Sequence, residues 1–511
     1  VNTGKMKKYK LADYARLLQN KNLLRYSHLD GFDTQIVDNL TYDSRSVSEN
    51  TLFICKGAAF KEEYLHQAVR NGAIAYVSEK EYESLGEFPR IIVKDIRKAM
   101  VDLAELFNDY AWQKLNIIGF GGTKGKSTSA YYMKAVIDDY MKGIDGKESA
   151  VISSINVYDG VENRESHITT PEAVELHHHF KNAVDSDISF LQMEVSSQAL
   201  KYNRVDNIEF EVGIFLNISE DHISPIEHPD FEDYFTSKLS MFAKTIHAVV
   251  NLDADYVDRI LEAAKASQTI TTFSTKNPDA DVYGYDIRKD GLETVFKVRT
   301  ARFDEEFRLS MPGLFNVENA LAVIAAAEIL GIPRRHIHSG LYKAKSSGRM
   351  ELYASRDSEL VAVVDYAHNK LSFQKLFSSM KMEYPGYRII AIYGCPGNKA
   401  VQRRQDLGLI AGKYADKIII TAEDPGTEDL DKINGEIAET IEKTGCPYVI
   451  INDRGDAIKA AVEEAKGKTL ILVTGKGNET RQKFGTEYVD CKSDVEYVKD
   501  LIRKYDKEKK N

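Results

Sequence analysis

Cysteine is sparse in this chain: Cys55, Cys395, Cys446 and Cys491 are scattered over 511 residues, with no CxxC pair and no ligand-like spacing to histidine. A disulfide framework and a thiolate zinc module are thereby excluded, and reduced thiols in a cytoplasmic protein are expected. Long apolar runs are missing too. None approaches the ~20 residues a membrane helix needs, and no charged n-region with an apolar h-region opens the sequence. Positive charge is not in excess: 68 Lys and Arg face 78 Asp and Glu, a formal net charge of −10. A general binder of nucleic acid or anionic membrane is excluded, and an anionic substrate needs a local basic pocket. No repeat of solenoid period occurs. What remains is an ordinary globular composition, 43% apolar and 29% charged, in a chain long enough for about three domains.

The most informative segment present is Gly122-Thr123-Lys124-Gly125-Lys126-Ser127-Thr128. It follows the apolar run Leu115 to Phe120 and precedes a helical pattern from Ser129 to Tyr140. Strand, glycine turn, Gly-Lys-Ser and helix together cradle nucleotide phosphates. Backbone N–H groups and the helix N-terminus face the anion, Lys126 adds charge, and the Ser127 hydroxyl suits Mg²⁺. The spacing departs from the usual phosphate loop, because Phe120 stands five residues before Gly125 and the nearest glycines are Gly119 and Gly121.

The rest of the chain reads as α/β. A small module with a helix over Leu11–Gln19 and strands at Thr51–Cys55, Ala73–Val77 and Arg90–Val93 is expected within residues 1–112. Residues 113–346 hold the phosphate loop, strand-like runs at 188–195, 211–218 and 248–253, hairpins around Val282–Val298, and a helix from Asn316 to Leu330. In residues 347–511, apolar strands at Leu360–Asp365, Arg388–Tyr393, Lys417–Thr421, Tyr448–Ile451 and Thr469–Val473 alternate with helices. That rhythm predicts a doubly wound parallel sheet, whose ligands sit beyond the carboxyl ends of the strands. Asp365-Tyr-Ala-His368, Glu423-Asp-Pro-Gly426 and Gly475-Lys-Gly477 follow three of those strands.

Ten short motifs, in order, resemble the Mur ligases of bacterial cell-wall synthesis, most of all the MurE group. They are Tyr42-Asp-Ser-Arg45, Gly122–Thr128, Thr169-Thr-Pro171, Met193-Glu-Val-Ser-Ser197, Asn217-Ile-Ser-Glu-Asp-His222, Ser237-Lys238, Asn316-Val-Glu-Asn319, Gly348-Arg-Met-Glu351, Asp365–His368 and Gly475–Gly477. The resemblance implies three domains: a small N-terminal α/β uridine-nucleotide module, a central phosphate-loop ATPase domain, and a C-terminal Rossmann-like domain that brings the incoming amino acid. It also accounts for the loop spacing, since the family carries Gly-Thr-Asn-Gly-Lys-Ser/Thr. Lys124 stands where Asn is usual. Its ammonium is electrostatically tolerable beside phosphates, and a plain solvated loop charge is the alternative.

The resemblance further implies ATP and Mg²⁺ as cofactors and an acyl-phosphate route to an amide. Lys126 would meet the β- and γ-phosphates, Ser127 and Glu194 would hold Mg²⁺, and His222 would ligate a second ion, although histidine is an uncommon Mg²⁺ ligand. Lys238 matches a lysine that becomes a carbamate, against the bland reading of a helix-surface lysine. Asn319, Arg349 and Asp365 match the adenine, phosphate and ribose positions, with Asn316 a substitute for Asn319 or a helix cap. Ser44 and Arg45 match the uridine end of the acceptor, and Thr169, Thr170, Ser196 and Arg204 its muramoyl-dipeptide end. Gln198 replaces a histidine usual in relatives. His177-His-His179 is no metal site on this reading, because consecutive helical residues point in different directions.

Enzymes that add meso-diaminopimelate carry Asp-Asn-Pro-Arg, whose arginine grips the distal carboxylate. Here Glu423-Asp424-Pro425-Gly426 presents two carboxylates and no guanidinium. With Glu479 as a further anion, Gly475 in the turn and Arg404 on the α-carboxylate, the pocket suits L-lysine. L-Ornithine is one methylene shorter, a difference worth only about 1–3 kcal/mol, and stays open beside meso-diaminopimelate. A folylpolyglutamate synthetase-like ligase and a non-catalytic Mur-like protein are the competing readings. The N-terminal Tyr-Asp-Ser-Arg module argues against the first, and Lys126, Glu194 and Lys238 argue against the second. The expected partners are UDP-N-acetylmuramoyl-L-alanyl-D-glutamate, L-lysine and ATP, with no nucleic acid or membrane, for a cytoplasmic monomer.

Overall fold

A computed structural model describes residues 7–57, 60–166, 168–220, 227–345, 348–398 and 401–509. The chain forms two compact units, one of residues 1–272 with 325–333 and one of residues 273–324 with 334–511. Among the described residues no helix is long and apolar enough to cross a membrane.

The first unit holds two sheets with separate cores. Its five-stranded sheet runs in the order Leu24–His28, Arg90–Val93, Ala73–Ser78, Thr51–Ile54, Asn39–Thr41, and only Leu24–His28 is antiparallel to its neighbour. The helices Leu11–Asn20 and Ile96–Phe107 close one face, burying Leu11, Tyr14, Leu18, Met100 and Leu103. Asp95 starts the second helix by accepting hydrogen bonds from the backbone N–H groups of Arg97 and Lys98, which satisfies two otherwise orphaned donors. The other sheet is parallel through Thr245–Asn251, Phe210–Phe215, Asn116–Gly121, Phe190–Glu194 and Ala150–Ile152. Its apolar strands are buried on both faces, as a continuous run of Ile, Val and Phe requires.

The second unit contains the antiparallel strands Val282–Asp290, Glu293–Arg299 and Asp304–Leu309, the hairpins expected around Val282–Val298. Its six-stranded sheet has the order Glu351–Ala354, Leu360–Asp365, Thr469–Thr474, Arg388–Tyr393, Lys417–Ile420, Tyr448–Ile450. The last five are parallel, as the alternating pattern predicts, and Glu351–Ala354 adds an antiparallel edge. That edge strand and the hairpin Arg481–Phe484/Glu487–Asp490 have too little apolar alternation to be read from sequence.

Candidate active site

In the first unit the central strand Asn116–Gly121 ends at Gly122, which takes φ +127°. A side chain there would press on the backbone N and O of Asn217 at 3.1 Å, so glycine is needed for both conformation and space. Gly125 is also left-handed, and the helix that follows begins at Lys126, three residues before the apolar pattern does. Asn217 fastens the loop. Its carbonyl accepts from Thr123 N–H at 3.0 Å, its Oδ1 from Lys124 N–H at 2.8 Å, and its Nδ2 donates to the Lys124 carbonyl at 3.0 Å. The loop thus holds Lys124 through its backbone.

Lys126 Nζ folds back over the loop and donates to the Gly122 and Thr123 carbonyls at 3.0 and 3.1 Å. Lys238 Nζ, buried, reaches the same Gly122 carbonyl at 2.8 Å. Ser127 Oγ lies 3.1 Å from Ser154 Oγ, and Glu194 Oε1 accepts from Ser154 N–H at 2.8 Å and from its hydroxyl at 3.1 Å. Two hydroxyls and a buried carboxylate make a hard oxygen donor set of the kind Mg²⁺ prefers. Ser154 belongs to none of the sequence motifs, and only the fold brings it between Ser127 and Glu194.

Thr170 connects this cluster to the residues matched to the acceptor peptide. Its hydroxyl donates to the Glu194 carbonyl at 2.8 Å and accepts from Ser196 N–H at 3.0 Å. Arg204 donates to the Thr170 carbonyl at 3.2 Å and pairs with Glu172 at 2.7 Å. Thr169 is half-buried beside them. Further along the unit, buried Ser44 donates to Gln67 at 2.9 Å, while exposed Arg45 pairs with Asp43 at 2.7 Å. His222 lies outside the described residues. Of the three histidines, His177 and His179 are buried, and the Nδ1 of His179 sits 2.7 Å from Asp159. His178 is exposed, so the three do point apart.

In the second unit Asp365 ends the strand Leu360–Asp365. Its carboxylate accepts from Met350 N–H at 2.9 Å and Ala367 N–H at 2.8 Å. Burial raises its pKa, which the neighbouring Arg349 partly opposes. The Arg349 guanidinium lies over the Tyr366 ring at 4.7 Å. Asn319 donates to Asn316 Oδ1 at 3.0 Å, and buried Asn316 donates to the Pro312 carbonyl at 2.6 Å.

Beyond the strand Lys417–Ile420, Glu423 is buried against Gly475, where a side chain would collide with its carboxylate. Burial pushes the Glu423 carboxyl up to about 7, with Arg454 and Lys476 pulling the other way. Asp424 Oδ1 takes hydrogen bonds from Lys476 Nζ at 2.9 Å and Lys483 N–H at 2.8 Å. Glu479 pairs with Lys476 at 2.5 Å and accepts from the Tyr366 hydroxyl. Arg404 is engaged elsewhere: it grips Glu428 at 2.7 and 3.0 Å and Glu436 at 2.6 Å. It braces the loop after Gly426. Lys476, quoted above only as part of a turn, emerges as the hub of this cluster.

A loop of this build, beside a buried oxygen-rich carboxylate, marks an α/β enzyme that handles nucleotide phosphates. Residues 121–327 match the Mur ligase middle domain and residues 348–477 the Mur ligase, glutamate ligase domain. The chain is 38% identical to a UDP-N-acetylmuramoyl-L-alanyl-D-glutamate–L-lysine ligase of Enterococcus faecalis, covering 88% of each chain. It is 35% identical to a UDP-N-acetylmuramoyl-L-alanyl-D-glutamate–2,6-diaminopimelate ligase of Clostridioides difficile, over 88% of this chain and 92% of that one. A solved structure of the latter kind of ligase shares 25% identity and a TM-score of 0.65, covering 94% of this chain and 99% of the other. The chain belongs to the Mur ligase family, the ATP-dependent ligases of peptidoglycan synthesis.

Proposed function

We propose that the protein joins L-lysine to UDP-N-acetylmuramoyl-L-alanyl-D-glutamate. The relatives named for lysine and for diaminopimelate differ by only three points of identity, 38% against 35%, so overall likeness does not choose between them. The observation that does is local. Gly426 stands where a diaminopimelate enzyme needs arginine, and Glu423, Asp424 and Glu479 surround the place with carboxylates. A side-chain ammonium suits that environment and a second carboxylate does not.

A carboxylate is a poor electrophile, so the glutamyl carboxylate oxygen first attacks the γ-phosphorus of ATP and ADP departs. The lysine amine then attacks the acyl carbon, loses a proton, and phosphate leaves with the C–O bond electrons. Lys126 and the N–H groups of the loop neutralise the phosphates. Ser127 and Glu194 would hold Mg²⁺, which when bound would supply positive charge to the phosphates. Lys126 and Lys238 converge on one carbonyl as like charges, and a carbamate on Lys238 would turn that repulsion into attraction. Arg204, Thr169, Thr170 and Ser196 would position the acceptor peptide, and Ser44 and Arg45 its uridine end. Asn319, Arg349 and Asp365 are proposed for the nucleoside and terminal phosphate of ATP. Divisions at residues 112 and 346 would separate uridine, ATP and amino-acid domains of a monomer acting in the cytoplasm.

Phosphate release with the UDP-linked dipeptide, ATP and Mg²⁺, compared across lysine, ornithine and meso-diaminopimelate, tests the reading. Lysine turnover is expected to lead. A preference for diaminopimelate would overturn the lysine assignment, and no turnover with any of the three would overturn the ligase reaction.

A further inference from the structure

We propose that Lys476 sets the side-chain charge accepted by the amino-acid pocket, acting as a fixed counter-cation that already occupies two of its three carboxylates. This deepens the lysine reading above and rests on it. Lys476 follows the strand Thr469–Thr474, and its side chain is only 4% exposed. Its ammonium lies 2.9 Å from Asp424 Oδ1 and 2.5 Å from Glu479 Oε2. Asp424 is itself held at φ +44°, and its Oδ1 also takes the Lys483 N–H. The second nearby cation, Arg454, is saturated: it pairs with Asp494 at 2.6 and 2.7 Å and donates to the Ala422 and Thr474 carbonyls.

Glu423 is the member left over. It is 7% exposed and forms no hydrogen bond or ion pair with the described residues, Arg454, Lys476 and Arg403 acting on it only through their charge. A buried carboxylate without a partner is costly, and removing that cost calls for one cation. With a single ammonium shared by Asp424 and Glu479, the three carboxylates keep a net negative charge, and Glu423 is the one that no side chain pairs, which fits a side chain ending in an ammonium. A side chain ending in an ammonium beside a carboxylate brings an anion that needs a cation of its own, and Lys476 is already shared between Asp424 and Glu479. The pocket therefore selects monocationic side chains through a cation the protein carries itself, and the missing arginine at Gly426 is only half of the device.

The test frees Lys476 without changing the shape of the pocket. Asp424→Asn/Glu479→Gln keeps an acceptor oxygen for the Lys483 N–H and removes both countercharges. In this double variant, kcat/KM for lysine should fall and that for meso-diaminopimelate rise, moving their ratio by about 100-fold. Adding Lys476→Met should abolish the gain for diaminopimelate, because the freed ammonium is what receives the distal carboxylate. Thermal melts establish that each variant is folded, and KM for ATP serves as an internal reference. A ratio that moves less than about threefold, or a diaminopimelate gain that survives Lys476→Met, overturns the inference while leaving the lysine reading intact. A wild-type preference for diaminopimelate overturns both.

Discussion

Asn217 and Lys126 do different things at the phosphate loop. Asn217 holds the backbone of Thr123 and Lys124 through three hydrogen bonds, whereas Lys126 rests on the carbonyls of Gly122 and Thr123 that a phosphate would draw it from. Asn217→Ala should cost about 1–3 kcal/mol of stability, the cost of leaving buried donors and acceptors unpaired, and should raise KM for ATP. Lys126→Ala should leave chemical denaturation nearly unchanged yet lower kcat by ~10²–10³. Equal stability losses in the two variants would refute this division. Lys124 shows why the sequence stopped short here. Its identity looked anomalous, and its backbone is held by a side chain 93 residues away, which no local pattern encodes. Lys126 and Ser127 were legible because strand, turn and helix propensities fix the loop locally, and Glu194 only through the Met193–Ser197 motif of the resemblance. Ser154 was not, because a lone serine carries no signal.

Glu423 yields a pH prediction at the same scale. Its carboxyl, pushed up to about 7, is faced by Arg454, Lys476, Asp424 and Arg403, and by Tyr366 and Cys395. Only the ionised form attracts an ammonium. KM for lysine should therefore rise by about tenfold per unit below pH 7 and level off above it, while KM for ATP does not follow. Glu423→Gln should flatten the profile, and a profile unchanged by that substitution would place the titrating group elsewhere. The sign for stability is opposite. A carboxyl raised above its ordinary 4.5 favours the fold most at low pH, and that contribution is lost as pH rises through 7. Added lysine should accordingly raise the melting temperature more at pH 8 than at pH 6.

Among the elements, the turn at Glu423–Gly426 and the hairpin Arg481–Phe484/Glu487–Asp490 act as one piece. Gly426 N–H donates to the Lys483 carbonyl at 3.1 Å, and Gly485 N–H returns to the Gly426 carbonyl at 2.7 Å. Arg404, on the helix Gln402–Tyr414, braces the far side of the turn through Glu428. The five parallel strands behind these loops were readable from their apolar runs, since burial on both faces dictates composition directly. The loops were readable only in their residue types. The partners of Arg404, Glu428 and Glu436, were not readable, because tertiary packing sets them beside it. Gly475 is tightly packed, with φ +106° and the Glu423 carboxylate against it. Gly475→Ala should cost about 1–3 kcal/mol through backbone strain and raise KM for lysine by displacing Glu423. Urea denaturation and amino-acid kinetics check both, and a fully stable variant with normal lysine kinetics would show that the turn relaxes.

On the scale of the whole molecule, the proposed chemistry is shared between two separately built units. Gly122–Thr128, Glu194, Lys238 and the residues matched to the acceptor lie in the first unit, and Glu423, Asp424, Lys476 and Glu479 lie in the second. Each cluster is held by hydrogen bonds within its own unit: Asn217 and Ser154 in one, Lys483 and Tyr366 in the other. The hydrogen-bond partners just named for each cluster lie in its own unit, and effects of substitutions without shared partners add to within about 0.3–0.5 kcal/mol. Calorimetric binding of a non-hydrolysable ATP analogue with Mg²⁺ should therefore be the same in wild type and Glu423→Gln. In Asn217→Ala it should weaken, and by the same amount whether or not Glu423→Gln is also present. Turnover should behave differently, because on the proposed chemistry the residues of both clusters serve one reaction. If Glu423→Gln alone weakens nucleotide binding by more than tenfold, about 1.4 kcal/mol, the two clusters are coupled before chemistry begins and the separate assembly of the sites is wrong.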